Sequence, residues 1–252
     1  MIKIILAGCN GYMGRVVTEM VKSDPTVAIT AGIDINAEKL ADYPVYASPD
    51  DITEQADVII DFSNPAALEN LLKYSIAKKL PLILCATGYS DEQLAEIAKA
   101  SEAIPMFRSG NMSLGINLLA DLIKRACTVL GEDFDLEIVE KHHRRKVDAP
   151  SGTALMLADA AAEAMPHKPE YIYERNSKST PRDKNEIGIS AVRGGTIVGV
   201  HDVIFAGQDE VIELRHTAAS RDVFAAGALK AARFMAGKKP GMYNMKNVLE
   251  EA

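Results

Sequence analysis

The chain has 252 residues, of which 48% are hydrophobic and 25% are charged, and this composition excludes a disordered or low-complexity linker. The formal net charge of −7 argues against a protein that binds nucleic acid or an anionic membrane, unless one local patch is strongly basic. The length allows one large domain or two modest ones.

Short apolar segments alternate with helical patterns as far as about residue 112. Strands are predicted where apolar residues hardly alternate with polar ones, at 3–7, 26–33, 58–62, 82–86 and 104–107. Helices are predicted between them, over 13–22, 66–78 and 91–100. Apolar strands separated by amphipathic helices predict a parallel sheet covered on both faces. We therefore expect an N-terminal Rossmann-like, doubly wound α/β domain.

The rest of the chain has a different pattern. A helix over 114–130 is predicted to bury one apolar stripe, formed by Leu118, Leu119, Leu122, Ala126, Val129 and Leu130. An alternating segment at 134–138, a helix over 153–165 and a long exposed loop over 166–186 follow. Three consecutive strands are then predicted at 187–192, 196–205 and 210–216, followed by a helix over 222–235.

These elements predict two domains. Residues 1–113 form the first domain, which the C-terminal helix within 218–252 completes. Residues 114–217 form a smaller α+β domain with a mixed or antiparallel sheet.

A glycine-rich turn follows the first predicted strand, with the spacing G-x-x-G-x-x-G at Gly8, Gly11 and Gly14. A strand, a glycine turn and a helix N-terminus together present N–H groups to a pyrophosphate. Asp34 lies 20 residues beyond Gly14, where an acidic residue can hydrogen-bond a ribose diol. The alternative is a turn whose glycines serve tight packing alone. Dinucleotide binding is favoured, with NADH ahead of NADPH because residue 35 is Ile rather than Arg, although Arg15 and Lys39 could reach a 2′-phosphate.

The segments 61–63, 85–88 and 109–112 follow later strands of the same predicted sheet. Ligands of open parallel sheets bind beyond the carboxyl ends of the strands, so these segments are candidates to line the rest of a cofactor groove. Plain turn-forming loops are an equal alternative.

The most basic part of this acidic chain is the segment from Lys141 to Lys146, and Ser151-Gly152-Thr153 opens a helix just after it. Cations beside a helix N-terminus favour an anionic substrate, such as a polycarboxylate. His142 or His143 could donate or accept a proton near neutral pH. A solvated surface loop and a nucleic-acid patch are the competing interpretations. No metal is expected, because the other histidines show no ligand spacing.

The three cysteines, Cys9, Cys85 and Cys127, show no CxxC pattern, which favours reduced thiols. The first residues are too short an apolar run for a signal peptide, and no run reaches the ~18 apolar residues of a membrane-spanning helix. We therefore expect a cytoplasmic protein with no membrane partner.

The segment from Glu140 to Ala154 resembles the signature E-x-H-H-x-x-K-x-D-A-P-S-G-T-A of the 4-hydroxy-tetrahydrodipicolinate reductases, also called dihydrodipicolinate reductases. The resemblance covers nearly the whole chain, through 8–14, 61–63, 86–88, 111–115 and 192–195. It implies an enzyme of diaminopimelate and lysine biosynthesis that uses NADH or NADPH. The implied substrate is a small cyclic dicarboxylate, 4-hydroxy-tetrahydrodipicolinate, which is reduced with loss of water.

The resemblance also implies roles for individual residues. His142 would be the proton donor or acceptor, Lys146 a second proton donor, and His143, Gly152 and Thr153 would hold a substrate carboxylate. The residues that would hold the dinucleotide are Gly8, Cys9, Asn10, Gly11, Tyr12, Met13, Asp34, Cys85, Ala86, Thr87, Ser109, Gly110, Asn111 and Met112. The family pattern further implies a homotetramer joined through the second domain.

Two positions depart from the family pattern. Cys85-Ala86-Thr87 stands where Gly-Thr-Thr is common, which removes a hydroxyl at residue 86. Ile35 stands where some members carry Arg, which leaves the choice between NADH and NADPH open. Two other functions compete with the reductase: a dinucleotide-sensing regulator, and a dehydrogenase with a different substrate. A semialdehyde dehydrogenase would need a poised cysteine nucleophile, and neither Cys9 nor Cys127 is placed as one.

Overall fold

The computed structural model describes residues 1–177 and 179–251, which divide into two units. The first unit contains Met1–Ser113 and the chain from Asp222 onward, and the second is Leu114–Arg221. Residues 218–221, expected at the start of the C-terminal helical segment, thus belong to the second unit, where β-strand pairing continues to Ala218. Residues 178 and 252 of the predicted domain ranges lie outside the described residues.

The chain passes from the first unit to the second and back again. The first unit begins with β1 (Ile2–Ala7), α1 (Tyr12–Lys22), β2 (Val27–Ile33), β3 (Val45–Tyr46), β4 (Val58–Asp61), α2 (Leu68–Lys78), β5 (Leu82–Leu84), α3 (Asp91–Ala100) and β6 (Pro105–Arg108). The second unit contains α4 (Leu114–Leu130), β7 (Asp135–His142), α5 (Gly152–Ala162), β8 (Glu170–Ile172), β9 (Glu186–Arg193), β10 (Gly199–Ala206) and β11 (Val211–Ala218). The first unit is completed by α6 (Asp222–Met235), β12 (Gly241–Tyr243) and α7 (Met245–Glu250).

The first unit is built on a seven-stranded sheet with the order β12-β6-β5-β4-β1-β2-β3. All of its strand pairs are parallel, and the five long apolar segments of the sequence are its central strands, so the predicted Rossmann-like fold is confirmed. Strand order reverses between β1 and β4, which is where ligands of such sheets bind. The two edge strands, β3 and β12, were missed because two or three residues show no periodicity.

The first core is apolar on both faces of this sheet, as parallel strands require. Ile4, Ile5 and Leu6 of β1 are completely buried. Helix α6 packs on α1 and the sheet through small residues, and Gly227 lies so close to the carbonyl of Met112 that a Cβ there would approach the oxygen to 1.7 Å. This close packing attaches the C-terminal helix to the first unit.

The second unit contains a five-stranded mixed sheet with the order β11-β10-β7-β9-β8, so the predicted mixed sheet is confirmed. β10 is antiparallel to both neighbours, whereas β9 pairs parallel with β7 and β8. Helices α4 and α5 pack on one face, over Leu136 and Ile138 of β7. The segment predicted as an exposed loop over 166–186 is partly ordered, because β8 pairs with the start of β9.

The buried stripe of α4 differs from the predicted one. Leu118, Leu122 and Val129 are 51%, 46% and 64% exposed. Leu119 is buried as predicted, together with Ile116, Ile123 and Cys127, which the predicted stripe did not contain. The helix has two adjacent apolar stripes, and hydrophobic periodicity alone does not determine which of them faces the sheet.

Candidate active site

The glycine turn of the first unit is shaped by close backbone approaches. Gly8 has φ +74°, and a Cβ at this residue would lie 2.7 Å from the backbone of Phe62. A Cβ at Gly14 would lie 2.2 Å from the carbonyl oxygen of Gly8. Helix α1 then begins after Gly11, which provides no capping side chain. A strand end, a turn without side chains and a helix N-terminus fit the pyrophosphate of a dinucleotide.

Asp34 ties the end of β2 to this turn. Its carboxylate accepts hydrogen bonds from the N–H of Asn10 at 3.0 Å and of Asn36 at 3.1 Å. Arg15 donates from Nε to the carbonyl of Asn10 at 2.9 Å. Ile35 is fully exposed beside them. The acidic residue predicted to bind a ribose therefore lies next to the glycine turn.

The remaining cofactor candidates follow two other strands of the sheet. Cys85, Ala86 and Thr87 come after β5, and Ser109, Gly110, Asn111 and Met112 come after β6. Because all these strands are parallel, the segments lie at the same edge as Gly8, Cys9, Asn10, Gly11, Tyr12, Met13 and Asp34.

Two of these candidates have buried side chains. The thiol of Cys9 packs toward Gly32 and Tyr43, and burial together with Asp34 raises its pKa to about 11. Met112 is 5% exposed, with its carbonyl against Gly227. Burial and the nearby Asp61 also raise the pKa of the Cys85 thiol. Neither Cys9 nor Cys85 therefore has the low pKa of a cysteine nucleophile.

In the second unit, His142 ends β7 and is 8% exposed. Its Nδ1 lies 2.7 Å from Oε2 of Glu140, which is completely buried two residues earlier on the same face. Arg193 donates to both carboxylate oxygens at 2.7 and 2.6 Å, and the N–H of Ser151 donates at 3.0 Å. Burial alone would raise the pKa of Glu140, but the hydrogen bonds from Arg193 and His142 hold it below its usual value. The group is therefore a carboxylate.

Arg193 also contacts the basic loop. Its Nη2 donates to the carbonyl of Asp148 at 2.6 Å. The carboxylate of Asp148 in turn lies 2.9 Å from Nζ of Lys146, which is 22% exposed. Lys146 is thus connected through Asp148 to Arg193, the same arginine that binds Glu140.

The remaining substrate candidates surround the start of α5, where Gly152 and Thr153 form the first turn. Ser151 caps this helix by accepting from the N–H of Ala154 at 3.1 Å. His143 lies in the loop before it, and burial together with the charges of Arg145 and Arg221 lowers its pKa. The structure thus brings His142, His143, Lys146, Gly152 and Thr153 into one region of the second unit.

His201 is a further member of this cluster. Its ring packs edge to face on His142, with centroids 5.3 Å apart, and its Nε2 lies 3.1 Å from the Ser151 hydroxyl. Burial and the nearby His142 lower its pKa to about 4, so the ring is neutral.

Sequence reasoning missed Glu140, Arg193, Ser151 and His201 as parts of the site. Strand alternation could have identified Glu140, because residues two apart share a face. Arg193 and His201 join the cluster only through sheet pairing, since Arg193 lies opposite His142 and His201 lies opposite Glu140.

This arrangement can bind an anion and transfer a proton. The imidazole of His142 has one nitrogen fixed by a carboxylate, Lys146 supplies a cation, and the α5 N-terminus offers N–H groups. Within residues 1–177 and 179–251 no cluster of three or more His, Cys, Asp or Glu side chains could hold a metal ion. In the same part of the chain, no helix is both long and apolar enough to cross a bilayer.

A Rossmann-like unit with a glycine turn, followed by a unit with a buried histidine–carboxylate pair, defines a two-unit oxidoreductase. Comparison with known proteins narrows this class. The family model for the dihydrodipicolinate reductase N-terminus matches residues 2–112, and the model for the C-terminus matches residues 115–249. The chain belongs to the dihydrodipicolinate reductase family.

Individual relatives support the assignment to this family. The chain is 54% identical to the 4-hydroxy-tetrahydrodipicolinate reductase of Caldanaerobacter subterraneus subsp. tengcongensis, over 100% of this chain and 99% of the relative. It is 53% identical to the reductase of the same name from Clostridium tetani, over 99% and 97% of the two chains. The solved dipicolinate-bound dihydrodipicolinate reductase from Paenisporosarcina sp. TG-14 has the same fold, with a TM-score of 0.81 and 24% identity over 98% of this chain and 99% of that one.

Proposed function

We propose that this chain reduces 4-hydroxy-tetrahydrodipicolinate to tetrahydrodipicolinate, with loss of water, at the expense of NADH or NADPH, in the diaminopimelate route to lysine. The observation that carries the proposal is the pair of His142 and Glu140, 2.7 Å apart beside the N-terminus of α5, in a chain of this family. The names of the relatives support the substrate, and dipicolinate in the solved neighbour supports a cyclic dicarboxylate.

The first unit is the dinucleotide-binding part of this proposal. The glycine turn holds the pyrophosphate, Asp34 holds the ribose, and the segments after β5 and β6 line the rest of the groove. The bound nucleotide supplies a hydride. NADH is preferred, because Asp34 suits a free ribose diol and Ile35 offers no charge to a 2′-phosphate. Arg15 and Lys39 are the cations that would give NADPH residual activity.

The second unit holds the substrate and the proton. Two substrate carboxylates need hydrogen-bond donors, which His143, Gly152 and Thr153 supply through an imidazole N–H and the first turn of a helix. His142 donates a proton to the substrate from Nε2, because Nδ1 is bound to Glu140. Lys146 is the second donor and stabilises the developing negative charge.

The quaternary structure and compartment complete the proposal. The chain forms a homotetramer through the sheet of the second unit, on the face away from α4 and α5. It works in the cytoplasm, in agreement with three cysteines that form no disulfide.

The activity is tested by following the absorbance of NADH, and separately of NADPH, while the preceding synthase generates the substrate in place. We expect consumption only with the synthase present, and a higher kcat/KM for NADH. A dinucleotide sensor would consume neither nucleotide, so the absence of turnover would refute the proposal.

The role of His142 is tested with His142→Gln. We expect kcat to fall by about 10²- to 10⁴-fold, the usual contribution of a general acid, while KM changes little. Glu186→Gln, which alters a buried carboxylate at the start of β9 in the same sheet, is the control. Turnover of the His142 variant within a few-fold of wild type would show that this residue does not transfer the proton.

A further inference from the structure

Glu140 is an unusual residue for its position in the fold. It follows Leu136 and Ile138 on the inward face of β7, where both are core residues, and it is completely buried. A buried carboxylate is costly unless it is paired and hydrogen-bonded. Glu140 has four such bonds, from His142, Ser151 and twice from Arg193. An apolar residue would serve the core better, which points to a functional reason for the carboxylate.

The contact with His142 has a chemical consequence. A carboxylate only accepts hydrogen bonds, so the 2.7 Å contact places the ring proton of a neutral His142 on Nδ1. Nε2 is then the nitrogen that gains and gives up a proton. Gly199 leaves room beside it, since a Cβ there would approach Nε2 to 3.2 Å.

The contact with Arg193 extends the effect to the basic loop. The guanidinium bridges the Glu140 carboxylate and the carbonyl of Asp148, and Asp148 holds the ammonium group of Lys146. The Glu140 carboxylate therefore contacts His142 directly and is connected to Lys146 through Arg193 and Asp148.

We propose that Glu140 is a positioning residue, which fixes His142 with its proton on Nδ1 and, through Arg193, holds the loop of Lys146 in place. Its catalytic consequence rests on the proposed function of His142, whereas the state of the ring can be tested without turnover. The competing explanation is purely structural: Glu140 would only neutralise Arg193 and bind the start of α5.

The geometry around His142 shows what the loss of the carboxylate would change. Glu140 is the acceptor that faces Nδ1 of His142, whereas Arg193 and Lys146 can only donate and neutral His201 adds no charge. Without the carboxylate, nothing fixes the ring proton on Nδ1, and the guanidinium of Arg193 loses its two bonds to Glu140.

The first test compares Glu140→Gln and Glu140→Asp with wild type at pH 8. We expect kcat of Glu140→Gln to fall roughly 10- to 100-fold, less than the full contribution of a general acid, with KM within about 3-fold. Glu140→Asp, which keeps a carboxylate, should retain more of the wild-type kcat than Glu140→Gln. Equal losses of kcat in the two variants, or a KM that rises as much as kcat falls, would indicate a structural role and overturn the proposal.

Glu186→Gln is the matched control. Glu186 is a buried carboxylate of the same sheet, bound to Arg175 at 2.5 Å, but it lies at the end of β9 opposite Arg193. We expect its kcat and KM to stay within about 2-fold of wild type. A loss of kcat equal to that of Glu140→Gln would mean that any buried charge of this sheet has the effect, which would also overturn the proposal.

The second test uses NMR of histidine ring nitrogens in the wild-type protein, with His142→Gln to assign the signals. We expect a neutral His142 ring protonated at Nδ1, and a mixed or reversed tautomer in Glu140→Gln. A wild-type ring protonated at Nε2 would overturn the proposal even if the Glu140 variant failed to fold. This readout also separates the two hypotheses, because it holds whether or not the chain turns over the proposed substrate.

Discussion

Two completely buried carboxyl groups of this chain have pKa values shifted in opposite directions, and their hydrogen-bond partners explain the difference. Burial raises the pKa of Asp61, and the hydrogen bonds from Ser63 and Tyr89 only partly offset this effect. Burial acts on Glu140 in the same direction, but the hydrogen bonds from Arg193 and His142 outweigh it and lower the pKa. The cationic partner Arg193 thus keeps Glu140 ionised, whereas Asp61, whose partners are neutral, is costly to ionise.

Asp61→Asn tests this difference through stability. A raised pKa means that the folded state binds the proton more tightly than the unfolded chain, so the stabilisation is present at low pH and is lost as pH rises through the folded pKa. The amide cannot ionise and can still bond to Ser63 and Tyr89. We expect the free energy of unfolding of the variant, relative to wild type, to increase from pH 4 to pH 8 in urea denaturation. Asp202→Asn should show no such increase over this range, because the pKa of the Asp202 carboxyl is lowered and its stabilisation is lost only below about pH 4.

At the scale of single elements, two helices begin with a serine cap in different surroundings. Ser90 of α3 forms an exposed capping box with Gln93, whose side chain accepts from the N–H of Ser90 and donates to the carbonyl of Pro65. Ser151 of α5 caps Ala154 and also contacts Nε2 of buried His201 at 3.1 Å. The same residue type therefore stabilises one helix end alone and, in the other case, a helix end and a strand.

Replacing each serine with alanine measures how much each helix cap contributes to the free energy of unfolding. Ser90→Ala should cost about 1 kcal/mol of unfolding free energy, the usual value of a helix cap. Ser151→Ala should cost about 1–3 kcal/mol more, since it also leaves the His201 nitrogen buried without its partner. Urea denaturation of both variants at pH 7 gives the comparison. Equal losses would show that the contact between Ser151 and His201 contributes nothing to stability.

The sequence predicted these elements where a local signal was strong. The central strands of the first sheet and the helix from Leu114 to Leu130 follow from their apolar patterns, whereas β3, β8 and β12 are too short to have one. The resemblance to a family drew attention to His142 and Lys146. His201 could not be found in this way, because the pairing of β10 with β7 brings it to the site, and pairing register is a property of the whole sheet.

At the scale of the whole molecule, the second sheet has one face covered by α4 and α5 and one that these helices leave open. Alternation along the strands places Val139, Ile204 and Val211 on the open face, together with Lys141 and Asp202. Val211 is 59% exposed. Mixed apolar and charged side chains on a sheet face that no helix covers are suited to burial against an identical surface. The open face is therefore the surface through which we expect copies of the chain to assemble.

This assembly predicts that light scattering of the purified protein gives a mass four times that of one chain. Val211→Asp should lower that mass, because it would bury an unpaired charge in each contact. The same change should hardly affect the folded protomer, since the residue is mostly exposed. Ile76→Asp is the matched control: Ile76 is 42% exposed on α2 of the first unit, and its replacement should leave the mass unchanged. A wild-type protein with the mass of one chain would refute the tetramer, and a Val211 variant that remains tetrameric would place the contact on another surface.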